Sequence, residues 1–192
     1  NYHTTALILI PGPGINPQWY HYSPYTKIVT GSIDHRGREV KALNRQEIEN
    51  VISELVSKGT KRVGICGKFS TRNPEQELKI KKLIKSKFNS INQITLGHKL
   101  SGRLNYPRRV ATTYLNTIIK ENQAKFTTSI KQGLKKLNIK SPIYFLKGDG
   151  GTMSLDTANN LPIETINSGP AASIMGILAL NKLNETTIGL DI

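Results

Sequence analysis

The chain has 192 residues, 37% of them hydrophobic, enough to bury one core or two small ones and too apolar for a disordered polymer. Its longest apolar run, Ala171 to Leu180, is about half the roughly 20 residues a membrane helix needs, and the single cysteine, Cys66, excludes an internal disulfide or a cysteine metal cage. Net charge is +14, yet the lysines gather at 79, 81, 82, 85 and 87 and at 131, 135, 136 and 140 without interleaved aromatics, so we read two solvated helix faces and no nucleic-acid surface.

The first residues lack the basic-then-apolar order of a signal peptide, and the expected setting is cytoplasmic, with no membrane association. Ala6 to Ile10 reads as a buried strand ended by Pro11-Gly12-Pro13-Gly14. Thr26 to Ile33 and Arg38 to Leu43 flank Asp34-His35-Arg36-Gly37, a hairpin signal. Asn44 as N-cap, with Glu47 three residues on, opens a helix whose Ile48, Val51, Ile52, Leu55 and Val56 recur at helical spacing as far as Gly59. A strand over 61–69, a helix over 74–87 and a strand over 93–96 follow, an alternation that predicts a largely parallel sheet.

Periodicity lapses from His98 to Tyr106, where we place the boundary between two lobes. Pro107 opens a helix of up to about 45 Å, with Val110, Tyr114, Ile118, Phe126, Ile130, Leu134 and Leu137 recurring mostly every four residues. Beyond it we expect a strand over 142–146, a glycine loop over 148–151, a short helix over 154–160, an extended piece over 162–166, a helix from Ser168 to about Leu183 and a last strand over 187–191.

Several signatures are absent. Gly64-Ile65-Cys66-Gly67-Lys68-Phe69-Ser70 has glycines too closely spaced for a Walker loop and Phe69 where Ser or Thr should follow the lysine. Histidines 3, 21, 35 and 98 are scattered and read as surface or turn residues, and Cys66, inside an apolar strand, as a small core residue. Three elements remain as candidates. Lys147-Gly148-Asp149-Gly150-Gly151-Thr152 is either an anion cradle at a strand's carboxyl end or a tight turn. Ser168-Gly169-Pro170-Ala171-Ala172 starts a helix whose first turn offers unpaired N–H groups to an anion, and whose body reads as buried against a sheet. Asp191 closes the apolar segment from Thr187, one of only four aspartates in the chain, and reads as a metal-holding or structural carboxylate.

These residues, in this order, resemble the hydantoinase A/5-oxoprolinase family, which also includes acetone and acetophenone carboxylase subunits. The resemblance is carried by Arg62 to Cys66 through Asn73-Pro74-Glu75-Gln76-Glu77, His98-Lys99-Leu100-Ser101 through Tyr106 to Asn116, Gly150 to Ser154, and Pro162 to Ile166 through Ser168 to Ala172, together with Pro11 to Ile15 and Ile33 to Arg38. It implies an α/β, actin-like ATPase fold of the ribonuclease H-like class, present here as an incomplete piece of two lobes. Residues 1–97 would be the latter part of the N-terminal lobe, 98–107 a connection, and 108–192 the beginning of the core lobe, cut at a phosphate-loop strand. The implied activity is ATP-driven opening of a cyclic amide through phosphorylation of its oxygen, with a ketone carboxylase subunit or a non-catalytic actin-like regulator as alternatives. The piece alone is expected to be inactive. ATP and Mg2+ are the implied cofactors and a hydantoinase B-type subunit the implied partner. Gly148, Asp149, Gly150, Gly151, Ser168 and Gly169 would meet nucleotide, and Asp191 would serve in catalysis and as metal ligand. Asp149 adds a charge to its loop that a divalent metal would offset.

Overall fold

A computed structural model describes residues 4–100 and 104–180, together with Thr186 and Ile188. Asp191 and the strand expected at 187–191, Ile188 apart, lie outside the described residues. The chain divides into two compact units, 1–118 and 119–192.

The first unit is built on a four-stranded parallel sheet in the order β2 (Thr26–Ile28), β1 (Thr5–Ile10), β5 (Arg62–Gly67), β6 (Gln93–Leu96). Every residue of β1 and β5 is buried, because both faces of these central strands are covered. Ala6, Ile8, Ile10, Val63 and Ile65 point to one face, where α1 (Arg45–Ser57) brings Ile48, Ile52 and Leu55 and α2 (Glu75–Lys87) brings Ile80 and Ile84. Leu7, Leu9 and Cys66 point to the other, where Tyr106 and Val110 of α3 (Tyr106–Lys136) cover them. Gly64 makes that approach possible, since a Cβ there would stand 2.8 Å from Leu7 and 3.0 Å from Thr113.

The helix ends follow from local chemistry. Asn44 Oδ1 accepts from Glu47 N at 3.2 Å and caps α1. The Glu47 carboxylate in turn accepts from Thr30 N, 3.1 Å to either oxygen. At the other end Gly59, with φ of 79°, takes the left-handed turn that lets Thr60 N reach Leu55 O at 3.0 Å.

One expectation is corrected here. The stretch 26–33 is two strands, β2 in the parallel sheet and β3 (Ser32–Ile33) paired antiparallel with β4 (Glu39–Lys41). Its turn is held by Asp34, whose carboxylate accepts from Arg36 N and Arg38 N at 2.8 and 2.9 Å. The long helix expected from Pro107 forms as α3, with Phe126 54% exposed and Arg109, Thr113, Asn116 and Thr117 buried.

In the second unit β7 (Tyr144–Leu146) pairs antiparallel with β8 (Thr152–Ser154), a hairpin the sequence reading missed. Ser154 Oγ accepts from Thr157 N at 3.2 Å and caps α4 (Leu155–Asn160). Residues Pro162–Thr165, expected to be extended, form a 3-10 turn. The helix α5 (Ser168–Leu180) is apolar almost throughout, yet none of its residues is buried, which corrects the reading of its body as a core element.

Candidate functional site

The structure brings together two of the three sequence candidates, both in the second unit. Gly148 lies so close to the 166–167 segment that a Cβ there would run into the Ile166 carbonyl oxygen, and a Cβ on Gly150 would stand 3.3 Å from Met175 of α5. The loop Gly148–Gly151 therefore sits beside the start of the helix that begins at Ser168.

The loop does not offer its glycine N–H groups to an anion. Gly148 N donates to Glu164 O at 2.8 Å, Gly150 N to Lys147 O at 3.1 Å, and Gly151 N to Asp149 Oδ1 at 2.9 Å. Lys147 N closes the turn on Gly151 O at 2.8 Å, and Gly150, with φ of 83°, supplies the left-handed residue the turn requires. Of the two readings left open by the sequence, the tight turn describes these amides. The charge of Asp149 is matched within the loop as well: Lys147 Nζ stands 2.8 Å from Asp149 Oδ2 and 3.1 Å from Glu164 Oε2. The Lys147 ammonium, helped by Gly151 N–H, holds the Asp149 carboxyl below its ordinary range, and the two carboxylates, Asp149 first, raise the lysine above its own.

The start of α5 is the more open part. Asn167, at φ of 62°, turns the chain into the helix, and its carbonyl accepts from Ala171 N at 3.2 Å. A Cβ on Gly169 would meet nothing within 4 Å. The N–H groups of a first turn have no intrahelical acceptors and carry the positive end of the helix dipole, so Ser168 and Gly169 face outward as an anion-favouring surface with the Lys147 loop as neighbour.

A third constellation, in the first unit, was missed. Glu77, fully buried on α2, accepts from Gly67 N at 2.8 Å through Oε1 and from His98 N at 3.1 Å through Oε2, and the same Oε2 lies 2.6 Å from His98 Nδ1. Arg109 of α3, 1% exposed, donates to Ser70 Oγ at 2.8 Å and to Lys68 O, and Ser70 Oγ donates to Gly67 O at 3.0 Å. His98 lies in the 3-10 turn Gly97–Lys99, as a turn residue was expected to, but its side chain is largely buried against a carboxylate. A glutamate three residues after Asn73-Pro74 has the position of an ordinary helix-start charge, so only the pairing across 21 residues reveals it. Cys66, next to this network, is fully buried and burial pushes its thiol up to about 12, as suits the core residue expected from the sequence.

Among the described residues no three His, Cys, Asp or Glu side chains gather to hold a metal, and no described helix is long and apolar enough to cross a membrane.

Residues 109–192 match the family described as Hydantoinase/oxoprolinase, and residues 21–88 match its N-terminal region. The chain is 25% identical over 161 residues to an uncharacterized protein of Methanocaldococcus jannaschii, covering 83% of this chain and 24% of the relative. It is 21% identical over 145 residues to the caprolactamase subunit alpha of Pseudomonas jessenii, covering 76% and 21% respectively. The fold matches that of nucleotide-free acetone carboxylase, which is described as acting in ATP-dependent acetone carboxylation, with a TM-score of 0.77 at 18% identity over 92% of this chain and 29% of that one. The chain spans about a quarter of the length of these proteins.

Proposed function

Because the chain belongs to the hydantoinase/oxoprolinase family, we propose that it forms part of an ATP-dependent enzyme that opens a cyclic amide by phosphorylating the amide oxygen. The observation that carries the reading is the open first turn of α5 at Ser168 and Gly169, set beside the Lys147 loop. Unpaired N–H groups and the helix dipole suit a polyphosphate anion. The loop glycines shape this neighbourhood and Gly148 seats the turn against Ile166, while Lys147 and Asp149 set its charge. ATP would supply the phosphoryl group that makes the ring carbon electrophilic.

As the resemblance implies, we propose Asp191 as the Mg2+ contact; Asp149 already holds Lys147 and Gly151 N–H. In this reading the chain carries parts of an actin-like ATPase: 1–97 from the N-terminal lobe, 98–107 as connection and 108–192 from the core lobe. A hydantoinase B-type subunit is the proposed partner, in keeping with the subunit naming of the caprolactamase relative. The likeness to acetone carboxylase supports a second reading, a subunit that joins a ketone to bicarbonate by similar activation.

The test uses the complete protein with its partner subunit and ATP, offered lactam and hydantoin rings in one set of assays and ketone with bicarbonate in another. Ring-opened acid formed together with phosphate supports the hydrolase, a new carboxylate the second reading, and no substrate-dependent phosphate release overturns both. In the active protein Asp191→Asn should lower turnover by about two orders of magnitude, or roughly 3 kcal/mol of barrier, with an unchanged melting temperature. Normal turnover with a lowered melting temperature would remove Asp191 from the site.

A further inference from the structure

The outer side of α2 carries two grooves, both within the first unit. One, of 370 Å3, lies between α1 and α2, with the buried Ile48 and the half-buried Leu43 and Leu83 beneath the exposed Arg45, Lys79 and Lys82. The other, of 410 Å3, lies over the outward face of α2, where Leu78, Lys81 and Lys85 line it, and it shares Lys82 and Ser86 with the first. Helical spacing explains the sharing: 78, 81, 82 and 85 make one stripe and 79, 82, 83 and 86 the next, while Ile80 and Ile84 face the core.

The walls of these grooves are tied down. Lys87 Nζ donates to Glu49 Oε1 of α1 at 2.8 Å. At the other end of α2, Gln76 Nε2 donates to Lys41 O at 2.7 Å and to Glu39 Oε1 at 2.9 Å. The nearby carboxylates are already spent on such ties, since Glu49 also holds Arg45 at 2.9 Å and Glu39 stands 3.5 Å from Lys79. Lys27 and Lys58 share Glu54, but among the described residues the side chains of Lys81, Lys82 and Lys85 have no partner. Three like charges within two helical turns repel one another and favour an incoming anion.

An occupant has to meet two demands together, negative charge for the lysines and apolar side chains for the floor beneath them. A second copy of this chain fails the first, because its net charge is +14. Nucleic acid supplies the charge, but the grooves hold no aromatic side chain for its bases and it gains nothing from the floor of Leu43, Ile48 and Leu83. A lipid surface takes up apolar side chains that stand out from the protein, whereas Ile48 and Leu83 lie beneath the charges. We propose that the two grooves dock an acidic amphipathic segment of a separate polypeptide, with its apolar side chains between α1 and α2 and its carboxylates on Lys81, Lys82 and Lys85. The proposal does not depend on the ATP-dependent reading.

The test uses the complete protein and two synthetic peptides of equal negative charge, one with leucines at helical spacing among glutamates and one with serines in place of the leucines. At physiological ionic strength the leucine peptide should bind about tenfold or more tightly than the serine peptide. Lys82→Glu with Lys85→Glu should weaken it by about tenfold or more, while the same reversal at Arg36 and Lys61, exposed and outside both grooves, should weaken it less than about twofold. Ser86→Trp, at an exposed position lining both grooves, should block the leucine peptide and spare the serine one. Equal binding of the two peptides, or equal loss from the two charge reversals, would reduce the patch to the general attraction of a basic protein and overturn the proposal. So would absence of binding, which is also the result if another part of the complete protein already covers α2. Single-stranded RNA or phosphatidylserine vesicles held more tightly than the leucine peptide, and released by the Lys82 and Lys85 reversal, would overturn the choice of a protein partner.

Discussion

The strand β1 and the helix α5 are the two most apolar stretches of the chain, and their surroundings are opposite. Each of the six β1 residues is buried, between helices on both faces of a parallel sheet. None of the thirteen α5 residues is, and Ile174, Met175 and Leu178 are 60%, 47% and 54% exposed. Apolar composition states that a segment has surface to remove from water, and says nothing about which residues remove it. In the first unit the described chain supplies its own cover, whereas α5 draws only partial cover from the described residues.

The comparison is broken most directly by truncating one side chain on each side. Ile65→Ala, at a fully buried position of β5, should cost about 2–5 kcal/mol in urea unfolding, and Ile174→Ala on α5 roughly 0.5 kcal/mol or less. Equal costs would mean that α5 is covered after all.

A smaller effect belongs to the second unit's turn. Gly148→Ala places a methyl group against the Ile166 carbonyl, and backbone has to move to admit it, at a cost of about 1–3 kcal/mol. The same substitution at Gly169, where space is open, should leave the melting temperature almost unchanged. If both alter stability alike, the close seat of the loop on residue 166 is wrong.

The smallest effect is electrostatic and sharpens the picture of the first unit's surface. The ammonium groups of Lys27 and Lys58, bonded to the exposed Glu54 at 2.7 and 2.5 Å, lower its carboxyl from 4.5 to about 2. A carboxyl lowered by folding adds stability that is fully present above its unfolded value and is lost as pH falls through the folded one. The difference in melting temperature between the unmutated protein and Glu54→Gln should therefore hold above about pH 5 and fade as pH falls toward 2. A pH-independent difference would assign the effect of Glu54 to packing.

How much of this was legible depends on the range of each interaction. The alternation of apolar strands and amphipathic helices up to Leu96 shows in the sequence, because Ile48, Ile52, Leu55, Ile80 and Ile84 repeat at the spacing of their own helices. Asn44 and Gly59 announced their helix ends because capping is a matter of three or four residues. The candidate loop and helix start were visible as glycine and proline signals. That Gly148, Gly150 and Gly151 spend their N–H groups inside the turn was not, since it depends on Glu164 and on the pairing of Leu146 with Thr152. The Glu77–His98 and Arg109–Ser70 contacts span 21 and 39 residues, and no local pattern records them. The polar stripe of α3 escaped for a related reason: threonines at 113 and 117 are buried by bonding back to Arg109 O and Thr113 O at 2.7 and 2.6 Å, which hydropathy alone cannot register.

The self-bonded turn at 148–151 has a kinetic corollary. A ligand that takes hold of those three amides first has to wait for the turn to open, so its observed rate of binding would level off at high ligand concentration, at the opening rate of the loop. A ligand received by the free first turn at Ser168 and Gly169 meets no such gate, and its observed rate would climb in proportion to concentration. Rapid mixing with a nucleotide would therefore distinguish, by the shape of one curve, which of the two neighbouring backbones makes the first contact.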